Sequence, residues 1–138
     1  MSLMMPDSQQ KKIIPPMHRL HVTEQGRVKI VLFIENKILD ETNIQEIGQG
    51  LLYLADQATL PVGSRPKMLL DFSNIDHLSS AALGMLIQLN HRIKQLNGEL
   101  RLCNIKSALM EVFVITRLDK SLRILPNVDD AMATFSPN

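Results

Sequence analysis

Ser79 and Ser80 stand side by side at the start of an apolar-periodic stretch, with His77 two positions before Ser79. A hydroxyl and an imidazole that close invite a nucleophile-and-base reading, with the serine on a sharp turn into a helix. That turn wants flanking glycines, and Leu78, Ala81 and Ala82 occupy those places. The base must also meet the hydroxyl in space and be oriented by a third group, which neighbourhood in sequence does not supply. A serine at a helix N-terminus has two further roles. It caps the helix, a contribution of about 1 kcal/mol. It also offers a kinase an accessible hydroxyl, whose phosphate would carry about −1.5 to −2 charges at neutral pH. Free helix N–H groups and the helix dipole would tolerate that charge within the protein. One serine suffices for a cap, so the second is left without a structural task.

The other chemistry-bearing residues form no complete constellation. The histidines are His18, His21, His77 and His91, with neither a two-histidine helical spacing nor a cysteine partner. Asp71, Asp76 and His77 could gather around a cation, but loop acids more often cap backbone N–H groups, and no metal site is assigned. Cys103 is the only cysteine, which excludes an internal disulfide and a Cys-rich zinc site. Its place in an apolar strand suits a small buried residue. No Gly-rich phosphate loop and no Gly-x-Gly-x-x-Gly is present, so no nucleotide cofactor is implied. Fifteen basic and 14 acidic residues leave a net charge of +1, which gives no electrostatic footprint for direct nucleic-acid binding. No apolar run approaches the roughly 18 residues of a membrane span, and no signal peptide opens the chain. A reducing, cytoplasmic setting is expected.

The elements that must position these residues follow from periodicity. Residues 1–17, with Lys11-Lys12 and Pro15-Pro16, carry no apolar pattern and read as a flexible tail, residues 1–3 as a cloning leader. Leu20 and Val22, a Gln25-Gly26 turn, then Val28, Ile30, Leu32 and Ile34 predict a hairpin. Residues 36–40 read as a connector. Thr42 and Gln45 form a capping box for a helix to about residue 58 on Ile44, Ile47, Leu51, Leu54 and Ala58. Met68–Leu70 is a short strand ending at Asp71, and residues 72–78 a loop. A second helix begins at the serine pair with a core stripe of Leu83, Leu86, Ile87, Asn90, Ile93 and Leu96, and stops at Asn97-Gly98. Leu100 and Leu102 mark a strand. Ser107 caps a third helix through Leu109, Met110, Phe113 and Val114. Ile124-Leu125 ends the sheet, and Asn127 caps a last helix through Met132 and Phe135. The order β-β-α-β-α-β-α-β-α implies an α/β domain over residues 18–138. Its mixed sheet has about four to five strands, covered by about four helices.

The run MLLDFSNIDHLSSAALGMLIQLNHRIKQLNGELRLCNIKSALMEVFVITRLDKSLRIL, residues 68–125, resembles the STAS domain of bacterial anti-sigma factor antagonists. The marks are a strand ending in Asp71, a loop to Ser79-Ser80, Leu83-Gly84, Asn97-Gly98-Glu99, Cys103-Asn104 and Thr116-Arg117-Leu118-Asp119. The N-terminal hairpin and Ile38-Leu39-Asp40 fit as well, so order and spacing match over about residues 18–136.

The resemblance implies a regulatory protein and not an enzyme. In that family, an unphosphorylated antagonist binds an ATP-dependent anti-sigma factor kinase and frees the sigma factor. The kinase phosphorylates a serine at the start of the second helix, the antagonist lets go, and a phosphatase resets it. By resemblance the phosphoacceptor falls on Ser79, with Ser80 the alternative. The partner-binding surface falls on Asp40, His77, Leu78, Ser79 and Ser80. Two positions depart from the family's Asp-Ser-Ser-Gly pattern: Leu78 replaces the acid and Ala81 the glycine. Losing the acid removes a contact with the kinase or its ATP-bound metal, and the alanine methyl narrows the backbone freedom of the helix start. A non-phosphorylated scaffold or sensory-complex module, and a small-ligand or nucleotide-binding domain, are the rival readings. Oligomeric state is not readable.

Overall fold

The computed structural model describes residues 14–137. Residues 1–13 of the expected tail lie outside the described residues; Met17 packs against the core.

The chain opens with the expected hairpin, β1 (Leu20–Gln25) and β2 (Val28–Phe33), paired antiparallel. Gly26 takes a positive φ of 62° at the first of two turn residues, a geometry that matches the strand twist. Parallel strands β4 (Lys67–Asp71), β6 (Glu99–Cys103) and β7 (Arg123–Leu125) complete a five-stranded mixed sheet in the order β1-β2-β4-β6-β7. Two short strands, β3 (Lys37–Ile38) and β5 (His77–Leu78), pair parallel in a separate sheet. The helices are α1 (Glu41–Gln57), α2 (Ser80–Gln95), α3 (Ser107–Ile115), α4 (Leu118–Ser121) and α5 (Val128–Met132).

Burial explains the layering. Strand β4 lies mid-sheet, and Met68, Leu69 and Leu70 are all fully buried, as a strand covered on both faces requires. Val31, Phe33, Met68, Leu70 and Leu102 pack with Ile47, Leu51, Leu86, Leu89 and Ile93 of α1 and α2. Val28, Leu69 and Cys103 pack on the other side with Ala131 of α5. Phe72 joins Phe33, at 5.0 Å between ring centroids, to Phe113 of α3, at 6.3 Å.

Several local expectations shift. The N-cap of α1 is Asp40, whose carboxylate accepts from the Asn43 N–H at 2.9 Å, and not the Thr42–Gln45 box. The chain leaves β3 at Ile38 and turns at once into the helix, so the first side-chain acceptor takes the cap and Thr42 falls inside the first turn. The buried face of α2 runs through Ala82, Leu86, Leu89 and Ile93, flanked by Leu83 and Met85; Ile87 lies on the outer flank, 47% exposed. Lys106 occupies the N-cap position of α3 with no side-chain hydrogen bond, and Ser107 is the first helical residue. Helix α4, entered through Arg117 at φ 63°, makes five helices among the described residues.

The end of α2 follows the expected signal with its two residues divided between two tasks. Asn97 adopts the left-handed conformation, φ 60°. Its N–H donates to the Lys94 carbonyl at 3.0 Å, and the Gly98 N–H to the Ile93 carbonyl at 2.8 Å. This is the paired Schellman closure. A Cβ at Gly98 would stand 2.4 Å from the Pro66 carbonyl oxygen, so close approach to β4, and not φ, is what requires glycine there.

Candidate functional site

The two-stranded β3–β5 sheet sets the site. Residues 36–40 and 72–78, expected as connector and loop, meet here: Lys37 is opposite His77 and Ile38 opposite Leu78. Ile38 is fully buried and anchors the pair in the main core. The Ser79 N–H donates to the Ile38 carbonyl at 3.1 Å, and the Asp76 N–H to the Asn36 carbonyl at 2.7 Å. Each short strand runs straight into a helix, β3 into α1 and β5 into α2. The positive ends of both helix dipoles therefore open at the same end of the molecule.

Ser79 is the N-cap of α2, in extended conformation, and its hydroxyl oxygen accepts from the Ala82 N–H at 3.1 Å. It is half-buried. Ser80 is the first helical residue; it is exposed, and its hydroxyl makes no hydrogen bond among the described residues. Asp40 is exposed and engaged in capping α1. Leu78 is half-buried and packs on the core, and His77 is exposed. Among the described residues the His77 imidazole contacts neither serine hydroxyl, so no assembled nucleophile and base is present.

The loop acids have structural partners. Asp71 accepts from the Ser73 N–H at 2.9 Å and from the Asn104 side-chain amide at 3.1 Å, the capping role expected of it. Asp76 instead pairs with Lys106 at the start of α3. The Lys106 hydrogen bond, ahead of the charges of Lys106, His77 and Lys37, holds the Asp76 carboxyl below its ordinary value. Cys103 is fully buried, as its apolar strand implied; burial first, and the charge of Asp71 second, push its thiol up to about 12. Among the described residues, no three His, Cys, Asp or Glu side chains gather as a metal site.

One feature of this surface was missed from the sequence. Ile34 and Leu39 are both about half exposed and rim a depression with Glu35, Lys37, Asp40 and Asn43 beside the start of α1. The signal was present in the alternation: if Ile38 points inward on a strand, Leu39 must point out. Behind the depression, Arg19 is held between Glu35 and Glu46. Exposed apolar side chains beside a helix start suit contact with another protein.

A family model described as the STAS domain matches residues 19–131. The chain belongs to the STAS domain family. A curated relative, the candidate anti-sigma factor antagonist BtrV of Bordetella bronchiseptica, is 30% identical over 98 residues, covering 71% of this chain and 79% of that protein. The crystal structure of a candidate anti-sigma factor antagonist from Thermotoga maritima superposes with a TM-score of 0.71 at 20% identity, over 86% of this chain and 95% of that one. The phosphorylated form of the Bacillus cell fate determinant SpoIIAA superposes with a TM-score of 0.60 at 11% identity, over 83% and 96%. The mixed sheet and its helices are thus the STAS fold, and this is an anti-sigma factor antagonist-like STAS domain. No helix among the described residues is long and apolar enough to cross a membrane.

Proposed function

We propose that this STAS domain binds an ATP-dependent anti-sigma factor kinase through the surface at the start of α2, and that phosphorylation of the serine pair releases it. The surface comprises Asp40, His77, Leu78, Ser79 and Ser80, together with the exposed Leu39. A phosphatase would restore the binding form. The observation that carries this reading is the division between the two serines: one hydroxyl caps the helix, and the other is exposed and unbonded.

That division also bears on the acceptor. By resemblance the phosphate falls on Ser79. Its hydroxyl is half-buried and occupied by the Ala82 N–H. The Ser80 hydroxyl is the better presented of the two, so the alternative acceptor becomes the favoured one. A phosphate at Ser80 would sit in the first turn of α2, where free N–H groups and the dipole stabilise an anion. Two extra negative charges on a face packed against a partner would cost desolvation, so release needs no refolding of the domain.

The test is binding of the cognate anti-sigma kinase to wild type, Ser79→Ala, Ser80→Ala and Ser80→Asp, with phosphosite mapping after incubation with ATP. The reading expects wild type and both alanine variants to bind, Ser80→Asp to bind weakly, and Ser80→Ala to accept no phosphate. A kinase that modifies Ser79 alone would return the acceptor to Ser79. Equal binding by all four proteins, with no phosphate incorporated, would refute the switch. It would favour a constitutive interaction module, to which the capping role of Ser79 is already suited.

A further inference from the structure

We propose that the cleft at the end of the sheet opposite the serine pair binds a small phosphate-bearing anion. The cleft lies between the β1–β2 turn and the loop from α1 to β4. Its charged lining is Arg27, Lys29, Arg65 and Lys67 against one acid, Glu24, on a chain whose net charge is only +1. Among the ion pairs of the described residues, Arg27, Arg65 and Lys67 take part in none. Lys29 pairs only with the exposed Glu24, at 3.7 Å.

Lys67 is the decisive group. It is 5% exposed, the one charged residue among those described that is buried. Its ammonium donates to the Ser136 backbone carbonyl at 2.5 Å, a neutral acceptor, which leaves two N–H donors without a carboxylate in contact. Glu99 feels the Lys67 charge, but its carboxylate is committed to the Ser136 N–H at 3.0 Å, to the Ser136 hydroxyl and to Arg101 at 3.1 Å. A phosphate in the cleft would give those donors an anionic acceptor.

The C-terminus of α1 also faces this cleft, and its dipole end is negative. That end is already closed. The Leu54, Asp56 and Gln57 carbonyls accept from the N–H groups of Ala58, Thr59 and Leu60 at 3.0–3.2 Å. The four cations are therefore not needed to cap the helix. Two exposed guanidinium forks over a buried ammonium suit the several oxygens of a phosphate better than a single carboxylate. The lining holds no aromatic side chain to stack a base, so the phosphate itself is what the cleft recognises.

The test is isothermal titration of the full chain with inorganic pyrophosphate and, separately, orthophosphate and sulfate at low ionic strength. The variants are Arg27→Gln with Arg65→Gln, both on the exposed rim, and, as the charge-matched control, Lys120→Gln with Arg123→Gln, exposed and away from the cleft. The expected result is saturable one-to-one binding of pyrophosphate. The double variant should bind about tenfold or more weakly, the scale of losing one charge-assisted contact, while the control is unchanged. No saturable binding would overturn the proposal. So would an equal loss in the double variant and the control, or sulfate binding as tightly as pyrophosphate, either of which means an adventitious ion only.

Discussion

Alanine at two glycines, one within α2 and one just past its end, should move stability in opposite directions. Gly84 lies within α2, without positive φ, and a Cβ built there meets no heavy atom within 4 Å. Replacing it removes backbone entropy from the unfolded chain and adds no clash, a gain of about 0.5–1 kcal/mol. Gly98 is the reverse. Its added Cβ would lie 2.4 Å from the Pro66 carbonyl oxygen, 2.6 Å from Pro66 Cγ and 3.0 Å from Ile93 Cγ2. The Pro66 carbonyl cannot retreat freely, because it accepts from the Glu99 N–H at 2.8 Å at the first rung between β4 and β6. Forced separation of this kind costs about 1–3 kcal/mol. Urea unfolding followed by far-ultraviolet circular dichroism is the assay, since the chain has no tryptophan. With a slope near ~2 kcal/mol per molar urea, Gly84→Ala should raise the midpoint by about 0.25–0.5 M, and Gly98→Ala should lower it by about 0.5–1.5 M. A Gly98→Ala protein that unfolds at the wild-type midpoint would refute the close-approach account. A lowered midpoint for Gly84→Ala would show that the space beside Gly84 is not open.

Three further outcomes follow from the site. Ser79→Ala should lose about 1 kcal/mol of stability with its cap, while Ser80→Ala stays within a few tenths, by the same urea assay. Lys106→Met should raise the Asp76 pKa, read by carboxyl NMR titration. In the wild type the contribution of this pair is present above the ordinary carboxylate value and is lost as pH falls through the depressed Asp76 value. Cys103 should resist a thiol reagent at pH 8 in the folded protein and react on unfolding. Its folded pKa, pushed up to about 12, exceeds the ordinary thiol value of 9.0, so the unfolded chain releases this proton first. Stability should therefore fall as pH rises from near 9 towards 12, a trend that Cys103→Ser should flatten.

The main sheet was legible in the sequence because four of its five strands span five or six residues with continuous or alternating apolar positions, and Gly26, Asn97 and Asn127 mark the hairpin turn, the end of α2 and the start of α5 by backbone chemistry. What stayed hidden was short or decided by tertiary contact. Strands β3 and β5 have two residues each, too few for any period to register, and they exist because Ile38 is drawn into the core. The exposed position of Ile87 depends on where α1 crosses α2, which sequence spacing does not specify. Helix α4, at four residues, hangs on Leu118 and on an arginine in a left-handed conformation that propensity disfavours. At the site, the serine pair and the capping chemistry were visible at once. Which serine spends its hydroxyl on the cap was not, because both positions satisfy the same sequence signal.

The β3–β5 pair has a consequence for exchange. Two-residue strands, joined to each other and separate from the five-stranded sheet, form a small opening unit with little buried area beyond Ile38 and Leu78. Such a unit should open without disturbing the sheet, at a fraction of the global unfolding free energy. The Ser79 amide, which donates across this pair, would then exchange hydrogen well before the amides of β4 and β6. The serine surface would be a locally melting rim on a rigid body, reshaping to a partner while the sheet keeps its register.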